Sequence, residues 1–183
     1  MKVIQQNLLV LIETIEMCIE KKKILPCLVL IYTGIDILAS LERSSKVSIK
    51  NSFTKWAKNY MLKAKPLSCS AIELYSARCG ILHTFTANSD LSNINNNCRR
   101  IIYAWGNSNS AKLQKVNEKL NISTDVALHI SDLFESFQLG IDLYFREVMN
   151  DSIRVKLILD SSKEWFSNLS EESLNAFLNL NKE

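Results

Sequence analysis

Apolar side chains recur every three or four positions through the first twenty residues, which is the period of an amphipathic helix. Residues 25–41 are apolar nearly all round and predict a second helix in the centre of a bundle. The polar residues of this second segment lie three to four positions apart and form a polar seam on one face: Thr33, Asp36, Ser40 and Arg43. The first forty residues are therefore predicted to be two helices.

A third helix is predicted by three aromatic residues at helical spacing, Phe53, Trp56 and Tyr60. An aromatic stripe of this kind is typical of a core, and base stacking by Trp56 is the alternative role. A proline and a capping serine separate this segment from a fourth predicted helix, which carries Arg78 and His83.

The second half of the chain is predicted to be helical apart from one loop and one short segment. Asn88–Asn97 is a polar loop, and residues 125–130 alternate in polarity, which predicts a short strand with a helix start as the alternative. The predicted helices here are Arg99–Trp105, 111–120, 131–149, Ile153–Phe166 and Glu171–Leu180. The predicted fold class is all-α: a bundle of four or more helices with extra C-terminal helices and one short strand near 125–130.

The amino-acid composition disfavours an all-β fold and so supports the all-α fold class. Glycine (4) and proline (2) are rare among the 183 residues, whereas all-β folds use both freely in turns. The length predicts a single domain over 1–183, with its core over about 2–150 and C-terminal helices over about 151–181. The most apolar stretch contains Asp36, which is costly inside a bilayer, so no membrane span is expected.

The five cysteines form no CxxC pair and are odd in number. This pattern predicts reduced core residues of a cytoplasmic protein and disfavours a zinc site or a disulfide framework. No metal and no cofactor are expected.

Charge is unevenly distributed along the chain. Residues 1–116 hold 16 Lys/Arg and 7 Asp/Glu, whereas residues 117–183 hold 6 and 12. No acid occurs between Arg43 and Ile72, a stretch with seven basic residues that include Lys55 and Lys58. Such a stretch can attract a phosphate backbone, and a solvated helix face balanced by the acidic C-terminal part is the alternative.

Arg78 and His83 supply a fixed positive charge and a group that exchanges protons near neutral pH. Metal-free cleavage of an RNA phosphodiester needs both kinds of group. The arginine would stabilise the charge on the phosphoryl oxygens, and the histidine would accept or donate the proton of a ribose hydroxyl. Five residues advance a helix by about 500°, which leaves the two side chains about 140° apart around its axis. This angle predicts that a symmetric pair of these helices lines one cleft, with Gly80 allowing a close approach.

The segment Leu74–Thr84, with its Arg-x4-His spacing late in a helix, resembles the HEPN superfamily. Tyr32–Asp36 and Arg99–Trp105 add to a resemblance that runs from about residue 5 to beyond 160 and is similar to a plasmid-borne branch of bacterial HEPN proteins. The resemblance implies a helical bundle that forms a two-fold homodimer. For active members it also implies metal-independent endoribonuclease activity, often in toxins, antiphage systems or RNA processing.

By position, the resemblance implies that Arg78 and His83 are the catalytic pair. Asp36 is the expected partner of Arg78, either as a support of the site or as a purely structural ion pair. Tyr75 either packs or donates a hydrogen bond to phosphate, and packing is favoured. The expected contacts to nucleic acid are Arg99, Arg100, Lys55 and Lys58. The second histidine, His129, is expected to be exposed and receives no catalytic role.

Three hypotheses follow. The first is an endoribonuclease of toxin or antiviral defence that cleaves RNA with Arg78 and His83 at a dimer cleft. The second is a catalytically silent dimerisation or interaction module that binds a partner such as a nucleotidyltransferase-type antitoxin. Cys79 favours this second hypothesis, because many active members have a polar residue after the arginine. The third is a monomeric helical bundle in which the Arg–His pair is structural.

Overall fold

The computed structural model describes residues 2–86 and 98–163, together with Asn175. The predicted loop Asn88–Asn97 lies outside the described residues. So do the end of the predicted helix Ile153–Phe166 and, apart from Asn175, the predicted helix Glu171–Leu180. The described part is mostly helical, as the predicted fold class required, but it holds a short two-stranded parallel sheet where one short strand was predicted.

The first two helices are α1 (Lys2–Glu20) and α2 (Ile24–Ser40), which pack against each other. One face of α1 is buried, as its amphipathic pattern predicted. Eight residues of α2 are buried, which agrees with its predicted central position. No helix in the described part of the chain is long and apolar enough to cross a membrane.

The predicted aromatic helix begins as α3 (Ile49–Trp56), widens into a π-helical turn (Ala57–Met61) and ends in a short α4 (Leu62–Ala64). Phe53 and Trp56 are buried, as predicted for a core stripe. The hydroxyl of Ser136 lies 3.1 Å from the carbonyl oxygens of both Met61 and Lys65 and so satisfies backbone groups at the end of this irregular segment.

Helix α5 (Ala71–Thr84) begins at a capping box in which the Ser70 hydroxyl accepts from the Glu73 N–H, while the Glu73 carboxylate accepts from the Ser70 N–H at 2.7 Å. It ends at Phe85, whose backbone is left-handed with φ 53°. The N–H groups of Phe85 and Thr86 both donate to the Gly80 carbonyl, which closes the helix end.

The prediction of a helix over Arg99–Trp105 was wrong: Arg100–Ala104 is a strand, β1. It pairs in parallel with β2 (Asp125–His129), the strand that was predicted near 125–130. A run of seven residues is too short for periodicity to separate helix from strand, and the partner strand decides the outcome. The crossover between the strands carries α6 (Ser110–Lys119), since parallel strands need such a connection.

The second half continues with α7 (Ile130–Met149) and α8 (Ser152–Ser162). Helix α7 approaches the π-helical turn closely at Gly140, where an added Cβ would lie 3.0 Å from the Met61 backbone. One hydrophobic cluster connects α1, α2, α3, α5, both strands, α7 and α8. The core therefore holds α5 between α2 and α3 on one side and the small sheet on the other.

Candidate functional site

The candidate site lies at the C-terminal end of α5. Six residues of this helix are buried against its neighbours, so the direction of the helix is fixed by packing. Arg78 is half-buried on the side facing α2, and His83 is exposed one residue before the end of the helix at Thr84. The buried helix therefore presents an exposed imidazole next to a partly shielded guanidinium.

A chain of polar contacts joins Asp36, Arg78 and His83. Nε of Arg78 donates to Oδ2 of Asp36 at 2.7 Å, and Nη1 of Arg78 lies 3.1 Å from Nε2 of His83. The side chains of Arg78 and Asp36 are only 14% and 21% exposed. The predicted pairing of Asp36 with Arg78 is confirmed as a geometric fact, and it fixes the guanidinium between a carboxylate and an imidazole.

The hydrogen bond between Arg78 and His83 determines which ring nitrogen of His83 carries the proton. A guanidinium can only donate hydrogen bonds, so the 3.1 Å contact makes Nε2 of His83 the acceptor and places the imidazole proton on Nδ1. Burial alone would lower the pKa of Arg78, but the hydrogen bond and charge of Asp36 outweigh burial and raise the pKa above its ordinary value. The arrangement thus combines a permanent cation with an unprotonated ring nitrogen at the surface.

The contact between Arg78 and His83 corrects one step of the sequence argument. An angular separation of about 140° predicted that a single helix would not bring the two side chains to one place. The arginine side chain is long enough to curve along the helix surface, and its Nη1 reaches the imidazole within one chain. A second copy is therefore not needed to assemble the pair.

Tyr75 and Cys79 are two further neighbours of the guanidinium. The Tyr75 ring packs edge-on against Phe53, with ring centroids 5.4 Å apart, and Cζ of Arg78 lies 5.8 Å from the Tyr75 centroid. The Cys79 sulfur lies 4.0 Å from Nη1 of Arg78. Burial and the neighbouring Cys79 raise the pKa of Tyr75, which keeps its hydroxyl protonated at neutral pH. Tyr75 packs, as favoured, and also flanks the candidate site.

Arg99 and Arg100 hold carboxylates of the fold. Arg99 contacts the nearly fully buried Glu73 through Nε at 2.7 Å and Nη2 at 3.3 Å, and Arg100 contacts Asp125 through Nε at 3.0 Å and Nη2 at 2.6 Å. Burial would raise the pKa of Glu73, but the Arg99 hydrogen bond and the cap at Ser70 lower it below its ordinary value. A phosphate would have to compete with these ion pairs, which weighs against Arg99 and Arg100 as nucleic-acid contacts.

The acid-free basic stretch divides into two parts. Lys63 pairs with Glu147, and Lys65 contacts both Asp132 and Glu135, so α7 balances these two lysines. The other five cations of the stretch form no ion pair with the described residues: Arg43, Lys46, Lys50, Lys55 and Lys58. The structure therefore leaves a cationic surface on and before α3.

Lys55 and Lys58 are separated from the Arg–His pair. Both line an open groove that continues to Ser70 and the first turn of α5. Thirteen residues separate Ser70 from His83, which corresponds to about 20 Å along the helix. The predicted lysine contacts and the candidate catalytic pair thus lie near opposite ends of α5.

The second histidine is half-buried, so the prediction that it is exposed was wrong. Nδ1 of His129 accepts from the Ser131 N–H at 3.2 Å, and Nε2 lies 3.2 Å from the Gly106 carbonyl oxygen. His129 therefore caps α7 and anchors the turn after β1. Both ring nitrogens are used structurally, which agrees with giving it no catalytic role.

Phe85 is the residue near the site that the sequence argument missed. Its side chain is 69% exposed two positions after His83, and its backbone is held in the left-handed region, which a bulky residue rarely adopts. Strained residues cluster at ligand sites and contact surfaces. The sequence does contain a signal for this residue: Phe85 is an aromatic residue between polar neighbours, His83–Thr86, directly after the predicted helix.

Among residues 2–86 and 98–163, no group of three or more His, Cys, Asp or Glu side chains is placed to hold a metal ion. Comparison of the chain with models of protein families, with curated protein sequences and with solved structures found no match. Function is therefore argued from the side chains themselves.

Proposed function

We propose that the protein is a metal-independent endoribonuclease of the HEPN type, acting in toxin or antiviral defence, with Arg78 and His83 as its catalytic pair. The observation that carries the proposal is the 3.1 Å contact between Nη1 of Arg78 and Nε2 of His83 at the exposed end of α5. A phosphodiester at this position would meet a fixed cation and a ring nitrogen able to accept a proton.

In the proposed reaction, an RNA phosphate replaces His83 as the acceptor for Nη1 of Arg78. Nε2 of His83 then accepts the proton of a ribose 2′-hydroxyl, and the 2′-oxygen attacks the adjacent phosphorus. The bond from phosphorus to the 5′-oxygen breaks, a 2′,3′-cyclic phosphate forms, and water or a second His83 protonates the leaving oxygen. Positioned acid–base help contributes typically ~10²–10⁴-fold, and one fixed donor about 2.7–4 kcal/mol.

Asp36 has the role of a positioning residue in this proposal. It holds Nε of Arg78, so the two Nη groups do not have to serve Asp36 and can donate to a phosphate. The exposed ring of Phe85 adds a surface on which a base next to the scissile phosphate can stack. Lys55 and Lys58 remain the proposed backbone contacts for RNA that extends toward the start of α5.

A two-fold homodimer is proposed as the active assembly. Two copies of α5 meeting at their exposed ends would place a second His83 near the leaving oxygen, and Phe85 offers apolar area for such a contact. Light scattering after size exclusion is expected to give a mass close to twice 20.9 kDa. A monomer that cleaves RNA would remove the second histidine from the mechanism.

The activity test is incubation of purified protein with mixed RNA in EDTA, beside His83→Ala and Arg78→Lys. Arg78→Lys keeps a charge near Asp36 but loses the planar group that reaches both partners. His129→Gln and Arg146→Ala are matched controls, because they change the other histidine and an exposed arginine of a surface ion pair. We expect cleavage by wild type and both controls, and a loss of ~100-fold or more in the two site variants. Equal RNA integrity in all five samples would refute the proposal.

The alternative proposal is a catalytically silent interaction module that binds a partner protein such as a nucleotidyltransferase-type antitoxin. Its specific support is the Cys79 thiol beside Nη1 of Arg78, where a polar residue would favour phosphate binding more strongly. Inactivity in EDTA together with a stable dimer would favour this alternative. A monomer without activity would favour a bundle in which the pair is structural.

A further inference from the structure

A separate cavity lies between the end of α2, α3 and α8, away from the Arg–His pair. Its volume is about 400 Å³, which is within the range of small-molecule sites. Apolar walls come from α2 at Leu38, from the turn before α3 at Val47, and from α8 at Leu157. Neither Arg78 nor His83 lines it, so a ligand bound here would not occupy the proposed cleavage site.

The polar lining of this cavity is mostly cationic. Arg154 is held by Glu42, through bonds of 2.7 and 2.9 Å, and by the Tyr60 hydroxyl at 2.9 Å. Burial would raise the pKa of Glu42, but the hydrogen bond from Arg154 lowers it, so this pair stays ionised and neutral as a unit. Arg43 and Lys55 also line the cavity; neither is in a close ion pair with a described residue, although the charge of Lys55 helps to lower the pKa of Glu42. An anion is therefore the complementary ligand.

The indole of Trp56 forms part of the wall. Trp56 is 3% exposed and lines the cavity, whereas its Nε1 atom is buried and out of reach of a ligand. Two cations beside an indole and apolar walls match an anion that has several acceptor oxygens and an apolar body.

We propose that this cavity binds a small organic phosphate monoester. Its phosphate would contact Arg43 and Lys55, and its organic part would contact the Trp56 indole and the apolar walls at Leu38 and Leu157. A phosphate monoester carries a charge of about −1.5 to −2 at neutral pH and three acceptor oxygens, which fits this donor set better than a carboxylate does.

The test uses phenyl phosphate as the probe and the indole N–H resonances of the ¹⁵N-labelled full chain as the readout. The Trp56 resonance, assigned with Trp56→Phe, is expected to shift and saturate, while the Trp105 resonance stays in place as an internal reference. Phenol and inorganic phosphate are the comparison ligands. Phenol lacks the phosphate group and inorganic phosphate lacks the aromatic ring. Each is expected to bind at least ~10-fold more weakly than phenyl phosphate.

Lys55→Ala and Arg43→Ala are expected to weaken phenyl phosphate binding by ~10-fold each. Lys58→Ala is the matched control, because Lys58 is an exposed lysine on the following turn that does not line the cavity. All three variants remove exposed side chains, so folding should be unaffected. The proposal is overturned by an unshifted Trp56 resonance, by phenol binding as well as phenyl phosphate, or by Lys58→Ala weakening binding as much as Lys55→Ala. Because Lys55 and Lys58 are also proposed RNA contacts, RNA cleavage is not a readout of this test, and Arg43→Ala tests the cavity alone.

Discussion

Removing the charge of Arg78 should destabilise the protein far more than removing a surface arginine. Arg78→Met keeps an apolar stem but leaves the Asp36 carboxylate, whose Oδ1 is buried without a partner, uncompensated beside the core. Breaking a buried pair costs about 3–5 kcal/mol, and the 21% exposure of Asp36 places the expected loss near the lower end, about 3 kcal/mol. Arg146→Met, in the exposed pair with Asp142, should cost below about 0.5 kcal/mol.

The assay is urea unfolding followed by circular dichroism. With a slope near 2 kcal/mol per molar urea, the Arg78→Met midpoint should fall by about 1.5 M. The double variant Asp36→Leu with Arg78→Met removes both charges and should recover at least about 2 kcal/mol relative to the sum of the single variants. A loss below about 1 kcal/mol for Arg78→Met, with no coupling to Asp36, would refute the view that this ion pair holds the guanidinium in place.

Three further predictions follow from the fold and the site. Gly140→Ala should cost about 1–3 kcal/mol in urea unfolding, because its Cβ meets the π-helical backbone, whereas the neighbouring Leu139→Ala should cost less than about 1 kcal/mol. Glu42 and Glu73 have lowered pKa values, so their stabilisation is present above pH 4.5 and is lost as the pH falls through their folded pKa values. Changing both to Gln should flatten the fall in melting temperature below pH 4.5, and an unchanged profile would contradict this. Phe85→Ala should raise the KM for RNA by ~5-fold or more with Phe85→Tyr near wild type, and equal KM values would exclude base stacking.

The helical part of the fold was predictable because its signals are local. Period, capping residues and the rarity of glycine and proline are properties of short segments; α1 and α2 begin and end near the predicted residues, and α5 begins after a capping serine, as predicted. The pair Asp36–Arg78 was also predictable, since a charge on each of two apolar helices needs a partner. The helix signals are local, whereas the ion pair joins residues 42 positions apart and was predicted from the need of each charge for a partner.

The remaining features depend on contacts between distant residues. Arg100–Ala104 is a strand because Asp125–His129 lies beside it, and the same partner gives Arg100 a carboxylate at Asp125. The neighbouring Arg99 is likewise committed to Glu73, 26 positions earlier. A sequence shows that these arginines are cationic, but only the fold shows that their charges are already used.

The most direct test of the central claim is to identify the ends of RNA fragments by mass spectrometry after incubation in EDTA. The account predicts 2′,3′-cyclic phosphate ends with the wild-type protein, their absence with His83→Ala, and no cleavage of RNA in which every 2′-hydroxyl is methylated. Fragments that carry 3′-hydroxyl ends, or cyclic phosphate ends that persist in His83→Ala, would contradict it.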